Sequence, residues 1–457
     1  MKQIPSSINR LIQTEDIQGL SKSLSGLPGF EIANIIADKS VADQTLVLTA
    51  LPSKLAVETF DYLSTRSQKK LLRSLPTTQT ACMLMEMTPD DRTALLEELP
   101  RTVLDEYLKL LSPQERDLSL KLLSYPEDSV GRMMTTDYIA VKKSWTVERV
   151  LDHIKDYGHD SETINFIYVI DDDNILIDDV KIKEFLFVPQ NYKVAQICDG
   201  KFISLLVTEK AETAIETFKT HGRGALPVVD DHGKLLGIVT IDDVLRLASQ
   251  VATEDLQKVG AVETFDRPYF EMPFFDLMKK RGRWLVVLFI GELFTASAMT
   301  VFENEIARAV VLALFLPLII SSGGNAGSQS STLIIRAMSL GEVKLSDWWR
   351  VMRREVLSGI FLGGLLGSIG FFRVILWGSI WGLYGPHWIL LGWTVAFTLL
   401  GVVLWGVFAG SMLPIVLRRL GADPAVASAP LVATLIDVTG IVIYFVTALL
   451  ILKGTLL

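Results

Sequence analysis

The chain has 457 residues, 49% of them hydrophobic, with a formal net charge of −8 and two cysteines. Cys82 and Cys198 stand far apart without metal-ligating neighbours, which excludes a disulfide framework and a zinc site and leaves both as buried small apolar residues. Apolar residues concentrate after Trp284 and most acidic residues precede it, so a soluble part is joined to a membrane part, and no nucleic-acid partner is expected. Residues 1–13 are polar and lack an apolar stretch, so no cleavable signal peptide is expected and the N-terminus is placed in the cytoplasm.

Leu27-Pro28, Leu51-Pro52, Leu75-Pro76 and Leu99-Pro100 recur every 24 residues, with Leu63-Ser64, Met87-Thr88 and Leu111-Ser112 midway between them. Thr88-Pro89 and the capping box Ser112-Pro113-Gln114-Glu115 mark helix starts, so each repeat carries two short helices. Such units bury their apolar stripes by stacking, which predicts an α-solenoid over residues 1–130 with one face free for docking. Asp90 and Asp91 fall in a first helical turn, where the helix dipole explains them as well as a ligand does.

From residue 131 to 250 short β-rich runs alternate with helices, as in Asn165-Phe166-Ile167-Tyr168-Val169-Ile170 and Ala225-Leu226-Pro227-Val228-Val229-Asp230. The second run continues through a glycine turn into Gly237-Ile238-Val239-Thr240-Ile241-Asp242-Asp243, a hairpin followed by a helix. These residues resemble a tandem pair of CBS domains, which implies a sensor of nucleotides or ions. The first copy has Ile177-Asp178-Asp179-Val180 in the matching place, without the glycine and hydroxyl. Thr240 and Asp243 are therefore the candidates for a bound nucleotide such as ATP, and helix capping is the favoured competing reading of both.

Residues 251–283 read as a connecting helix whose carboxylates, Glu254, Asp255, Glu263, Asp266, Glu271 and Asp276, give way to Lys279, Lys280, Arg281 and Arg283. The basic cluster is ordinary cytosolic anchoring beside a membrane. The carboxylates, with Asp230, Asp231, Asp242 and Asp243, repel one another when packed unless cations screen or bridge them.

Five apolar segments follow, at about residues 284–302, 307–337, 356–383, 388–417 and 425–452, each long enough for a bilayer. Lys and Arg lie on one side of them, which puts the N-terminus in the cytoplasm and the C-terminus outside. Gly323-Gly324-Asn325-Ala326-Gly327 reads as a break in the second segment that frees backbone groups, tolerated only along a protein-lined or water-filled path. Asp437, midway along the last segment, would cost several kcal/mol unpaired and needs water, a cation or a partner such as Thr434, Thr439 or Asn325. A helix running back to Asp423 would place the two carboxylates on one face about 21 Å apart, with Pro430 bending it and the small Ala433 leaving room for an ion. Glu292 and Arg373 read as a mutual ion pair, with snorkelling open to Arg373 and a second pore site open to Glu292.

The order of these parts, the motif from Gly323 to Gln329, and Asp423-Pro424 followed by Pro430-Leu431-Val432-Ala433-Thr434 and Asp437-Val438-Thr439-Gly440, resemble the MgtE family of bacterial magnesium channels and transporters. The resemblance implies a multidomain fold: an all-α solenoid, an α/β tandem CBS pair, a connecting plug helix and an all-α transmembrane domain of five helices. It implies a homodimer in the inner membrane whose last helices line a pore. There Asp437 and the Ala433 backbone hold hydrated Mg²⁺, and Asp423 stands at the cytoplasmic end. It also assigns cytosolic Mg²⁺ sensing to acidic residues, with Asp90, Asp91, Asp243, Glu254 and Asp255 the candidates and closure at high Mg²⁺ the outcome. Two other readings remain: a transporter of Mn²⁺, Co²⁺ or Ni²⁺, of which the absence of His and Cys from the spans disfavours the softer ions, and a membrane-anchored nucleotide sensor. No nucleophile–base constellation appears, so no enzyme is expected.

Overall fold

A computed structural model describes residues 6–265 and 269–457 and divides the chain into two compact units, one ending at Ser249 and one beginning at Gln250. Asp266 of the linker lies outside the described residues.

The first unit opens with helices α1 (Ser6–Gln13), α2 (Ile17–Leu24), α3 (Gly29–Ile36), α4 (Val41–Ala50) and α5 (Ser53–Asp61). It continues through α6 (Thr65–Ser74), α7 (Thr77–Glu86), α8 (Pro89–Glu97), α9 (Arg101–Leu108) and α10 (Pro113–Leu123). Both halves of the 24-residue repeat start helices: Pro28, Pro52, Pro76 and Pro100 are the N-caps of α3, α5, α7 and α9, and Ser40, Ser64, Thr88 and Ser112 those of the helices between. Proline supplies the extended backbone a cap needs but no side-chain acceptor, whereas the Ser40, Ser64 and Ser112 hydroxyls each accept a backbone N–H. Helices two apart in sequence stack, α3 on α5, α5 on α7 and α8 on α10, and one continuous row of Leu, Ile and Val is buried between them.

The expected capping box at Ser112 is half formed. The Glu115 carboxylate turns instead to Arg92, whose side chain is 1% exposed. Arg92 Nε donates to Ser119 Oγ at 3.1 Å and Nη1 to the Leu84 carbonyl at 3.1 Å. Each of the three nitrogens of this buried guanidinium thus donates to an acceptor, the condition under which a buried charge is tolerated. Arg92 fixes α8, and with it Asp90 and Asp91, against α10.

Two copies of a β-α-β-β-α unit follow. The first is β1 (Tyr138–Lys142), α11 (Val147–Tyr157), β2 (Thr163–Ile170), β3 (Leu176–Lys181) and α12 (Ile182–Leu186). The second is β4 (Leu205–Leu206), α13 (Ala211–His221), β5 (Ala225–Val229), β6 (Leu235–Thr240) and α14 (Ile241–Val259). Each sheet pairs its first two strands in parallel and its last two antiparallel. The acidic residue after each central strand shapes the turn: Asp171 Oδ1 accepts from the Asp173 and Ile175 amides, and Asp230 Oδ1 from those of His232 and Lys234.

The register between copies is one residue off the sequence match. Gly237 pairs with Val228 and its counterpart opposite Val169 is Asp178, not Ile177. A Cβ at Gly237 would stand 2.6 Å from the Thr135 carbonyl oxygen, so the close backbone crossing there requires glycine. In the first copy the Asp178 carboxylate occupies that place and accepts from the Asp179, Asp199 and Gly200 amides. Cys82 and Cys198 are half-buried rather than buried.

The second unit begins with the tail of α14. The linker is not one helix: α14 ends at Val259, a 3₁₀ turn spans Tyr269–Glu271, and the next α-helix starts at Phe274. Then come α15 (Phe274–Val301), α16 (Glu303–Arg308), a 3₁₀ stretch from Val310 to Phe315, α17 (Leu316–Ser339), α18 (Trp348–Trp381), α19 (Trp388–Arg419) and α20 (Ala429–Leu452). Five helices among the described residues are long and apolar enough to cross a membrane. Alpha-helix α19 is central, packed on α17, α18 and α20, and α15 packs on α20.

The glycine segment does not break its helix, since α17 runs through Gly323 and Gly327 without interruption. Its glycines serve close packing instead. A Cβ at Gly406 would meet Gly323 O at 2.6 Å, and one at Gly410 would meet Gly327 O at 2.1 Å, so the backbones of α17 and α19 touch. Gly359, Gly363 and Gly367 of α18 face α19 in the same manner, whereas Gly364 faces open space. The irregular backbone lies earlier, from Ala309 to Phe315, where the buried Tyr444 hydroxyl donates to the Leu312 carbonyl at 2.9 Å.

Candidate metal centres

Asp90 and Asp91 stand in the first turn of α8 and Asp243 in the first turn of α14, and one oxygen from each carboxylate lies within 4.8 Å of the others. Asp90 is 8% exposed, and its Oδ1 is buried without a hydrogen-bond partner. Burial first, then the Asp243 and Asp91 charges, hold its carboxyl well above the usual range. Burial also raises Asp243, against the opposing pull of Arg246 and Thr240. Arg246, one turn further along α14, donates to Asp91 Oδ1 at 3.0 Å and lies 3.3 Å from Asp243 Oδ1.

Two more carboxylates feel this cluster and carry no local signal in sequence. Asp61, at the end of α5, is pushed up to about 8 by burial and then by Asp91, and its Oδ1 has no partner. Glu162 is pushed up to about 7 by burial and then by Asp242. Carboxylates crowded this closely with an unused buried oxygen suit a hard divalent cation, for which oxygen donors without His or Cys are the expected set.

Thr240 and Asp243 are engaged with each other. The Thr240 hydroxyl lies 2.5 Å from Asp242 Oδ1 and 2.9 Å from Asp243 Oδ2, at the start of α14. Elsewhere in the CBS pair the Arg223 guanidinium pairs with the buried Asp179 at 2.9 Å over the Phe166 ring. The Tyr168 hydroxyl beside them is buried and unpartnered.

Glu254 and Asp255 belong to the second unit. Glu254 is 3.7 Å from Lys258, and Asp255 accepts from Ser339 Oγ at 3.0 Å. Asp423 is likewise occupied: it pairs with Lys258 Nζ at 2.9 Å and accepts from the Ala425 amide. No helix joins Asp423 to Asp437, because α20 starts at Ala429 with Pro430 in its first turn, which begins the helix instead of bending it.

Within the spans, the Asp437 carboxyl of α20 faces that of Glu292 on α15. Thr434 donates to the Pro430 carbonyl, Thr439 accepts from Trp405 Nε1 at 2.9 Å, and Asn325 turns to Ser321, so none of the three small polar neighbours satisfies Asp437. Arg373 does not reach Glu292; it sits over the Trp377 ring at 3.7 Å and donates to Tyr384 Oη at 3.1 Å. Two carboxylates side by side repel, and a cation held between them would relieve that repulsion. Ala433, one turn before Asp437, packs toward Gly324, 3.7 Å from where its Cβ would be. Ser328 and Ser331 donate to the Ala429 and Ala427 carbonyls, tying α17 to the entrance of α20.

Comparison with known proteins agrees with this layout. Residues 316–447 match the divalent cation transporter family MgtE, residues 27–128 the MgtE intracellular N domain, and residues 130–188 and 194–250 CBS domains. The chain is 34% identical over 451 residues to the magnesium transporter MgtE of Thermus thermophilus, covering 98% of each, and 27% identical to that of Bacillus subtilis, covering 95% of this chain and 94% of the other. A solved cytosolic domain of the Mg²⁺ channel MgtE in complex with ATP superposes with a TM-score of 0.51 at 30% identity, covering 53% of this chain and 98% of that one. Solenoid, CBS pair and five apolar helices therefore occur here in the order of a known transporter, and the chain belongs to the MgtE family of magnesium transporters.

Proposed function

We propose that this chain carries Mg²⁺ across the bacterial inner membrane as a homodimer, N-terminus in the cytoplasm and C-terminus outside, and that cytosolic Mg²⁺ restrains the flow. The observation that carries the gating reading is the convergence of Asp90 and Asp91 with Asp243, residues from separate domains of the sequence. A dication held there supplies the positive charge that lets these carboxylates stay packed; without it the single charge of Arg246 faces three carboxylates, and the repulsion it leaves uncompensated weakens the hold of α8 on α14. Asp437 is the pore residue of this proposal, with Ala433 beside it and Asp423 toward the cytoplasm. Glu254 and Asp255 enter it as sensor residues that act on the membrane unit, where Ser339 and Lys258 now meet them. ATP enters only as a modulator, on the strength of the related cytosolic domain solved with it. An anchored nucleotide sensor leaves the Asp437 and Glu292 pair without a purpose.

Mg²⁺ flux into proteoliposomes, with Mg²⁺ varied on the cytosolic face, tests this. Flux through the intact chain should fall as cytosolic Mg²⁺ rises, and Asp243→Asn should leave flux several-fold higher at the suppressing concentration. Equal suppression in both proteins would remove this cluster from gating.

A further inference from the structure

Resting on the reading of Asp90, Asp91 and Asp243 as a cation site, we propose that Arg246 is a built-in competitor that occupies the site in the absence of the ion and sets the concentration at which the ion binds. The oxygens of Asp91 and Asp243 are divided in a consistent way. Their Oδ2 atoms face neutral hydroxyls, Asp91 Oδ2 that of Thr88 at 3.2 Å and Asp243 Oδ2 that of Thr240 at 2.9 Å. Their Oδ1 atoms both face the Arg246 guanidinium, at 3.0 and 3.3 Å. Asp90 Oδ1 is buried and has no hydrogen-bond partner. A dication drawn to that unused oxygen and to the charges of Asp91 and Asp243 meets a cation already placed on the two outer oxygens, and like charges do not share them.

Arg246 is suited to leave. Its side chain is 55% exposed, so it can swing into water at little desolvation cost, and the carboxylates it releases are those the dication takes up. The buried Arg92 on the same helix as Asp90 has no such freedom, which separates a fixed structural guanidinium from an exchangeable one. In the ion-free protein Arg246 also clamps α8 to α14, so its removal has two effects of opposite sign: a looser ion-free cluster and a tighter ion-bound one.

The test uses the full chain in detergent micelles, titrated with Mg²⁺ and read by its thermal unfolding midpoint and by limited proteolysis of the soluble part. Arg246→Gln is expected to lower the midpoint in Mg²⁺-free buffer and to reduce the Mg²⁺ needed for half-maximal protection by about twofold to fivefold, the size of a partly exposed ion pair. Arg246→Lys, which keeps the charge but loses the fork, should shift in the same direction by less. An unchanged or raised Mg²⁺ requirement in both variants overturns the competitor, while a Mg²⁺ response that survives intact in Asp243→Asn overturns the cation site beneath it.

Discussion

Asp437→Asn is expected to abolish Mg²⁺ flux in proteoliposomes while leaving the protein as stable as before, or more so. A unit charge acting on a dication a few ångströms away contributes on the order of several kcal/mol at the effective dielectric of a partly buried site, so its removal should reduce flux about a hundredfold or more. The fold is not at risk, because Asn removes the repulsion between Asp437 and Glu292 and can donate to the carboxylate that remains. Flux measured beside thermal unfolding in detergent separates the two effects. Flux within a few-fold of the intact protein would take Asp437 out of the ion path, and a large drop in unfolding temperature would make the residue structural.

Gly410→Ala should produce the opposite pattern, a loss of stability before any change in ion handling. The added methyl would lie 2.1 Å from Gly327 O and 2.8 Å from Gly327 C, backbone atoms held by an unbroken helix that no rotamer change can move. Overpacking usually costs about 1–3 kcal/mol where a side chain can yield, and here neither partner has one, so the cost should reach or exceed that upper value. Gly364→Ala is the control, because nothing lies within 4 Å of its Cβ position. Equal unfolding temperatures for the two variants would refute the backbone contact between α17 and α19.

These residues also mark what could be read from the sequence. Proline and serine punctuation announced both helices of each solenoid repeat because caps act locally, and long apolar runs announced the spans because length and hydropathy suffice. The glycines from Gly323 to Gly327 suggest a break but form a packing face, since a glycine cluster looks the same in sequence whether it breaks a helix or makes room for another; the facing Gly406 and Gly410 decide the matter. Asp90, Asp91 and Asp243 were legible as candidates, whereas Asp61, Glu162 and Arg246 were not, because their roles arise from packing between segments far apart in the chain. Likewise Glu292 carried its signal as an intramembrane charge, but its partner was Asp437 rather than the oppositely charged Arg373.

Lys258 gives the membrane part a boundary that hydropathy alone would draw in the wrong place. The ammonium that neutralises Asp423 comes from the last turn of a helix begun in the CBS pair, 26 residues ahead of Trp284, and Asp255 in the same turn receives Ser339. A truncation starting where the apolar sequence starts would strip Asp423 of its counter-charge and leave Ser339 without its acceptor. One starting at Gln250 keeps both, so the smallest portion in which these contacts are intact includes the tail of a helix that belongs by sequence to the regulatory domain.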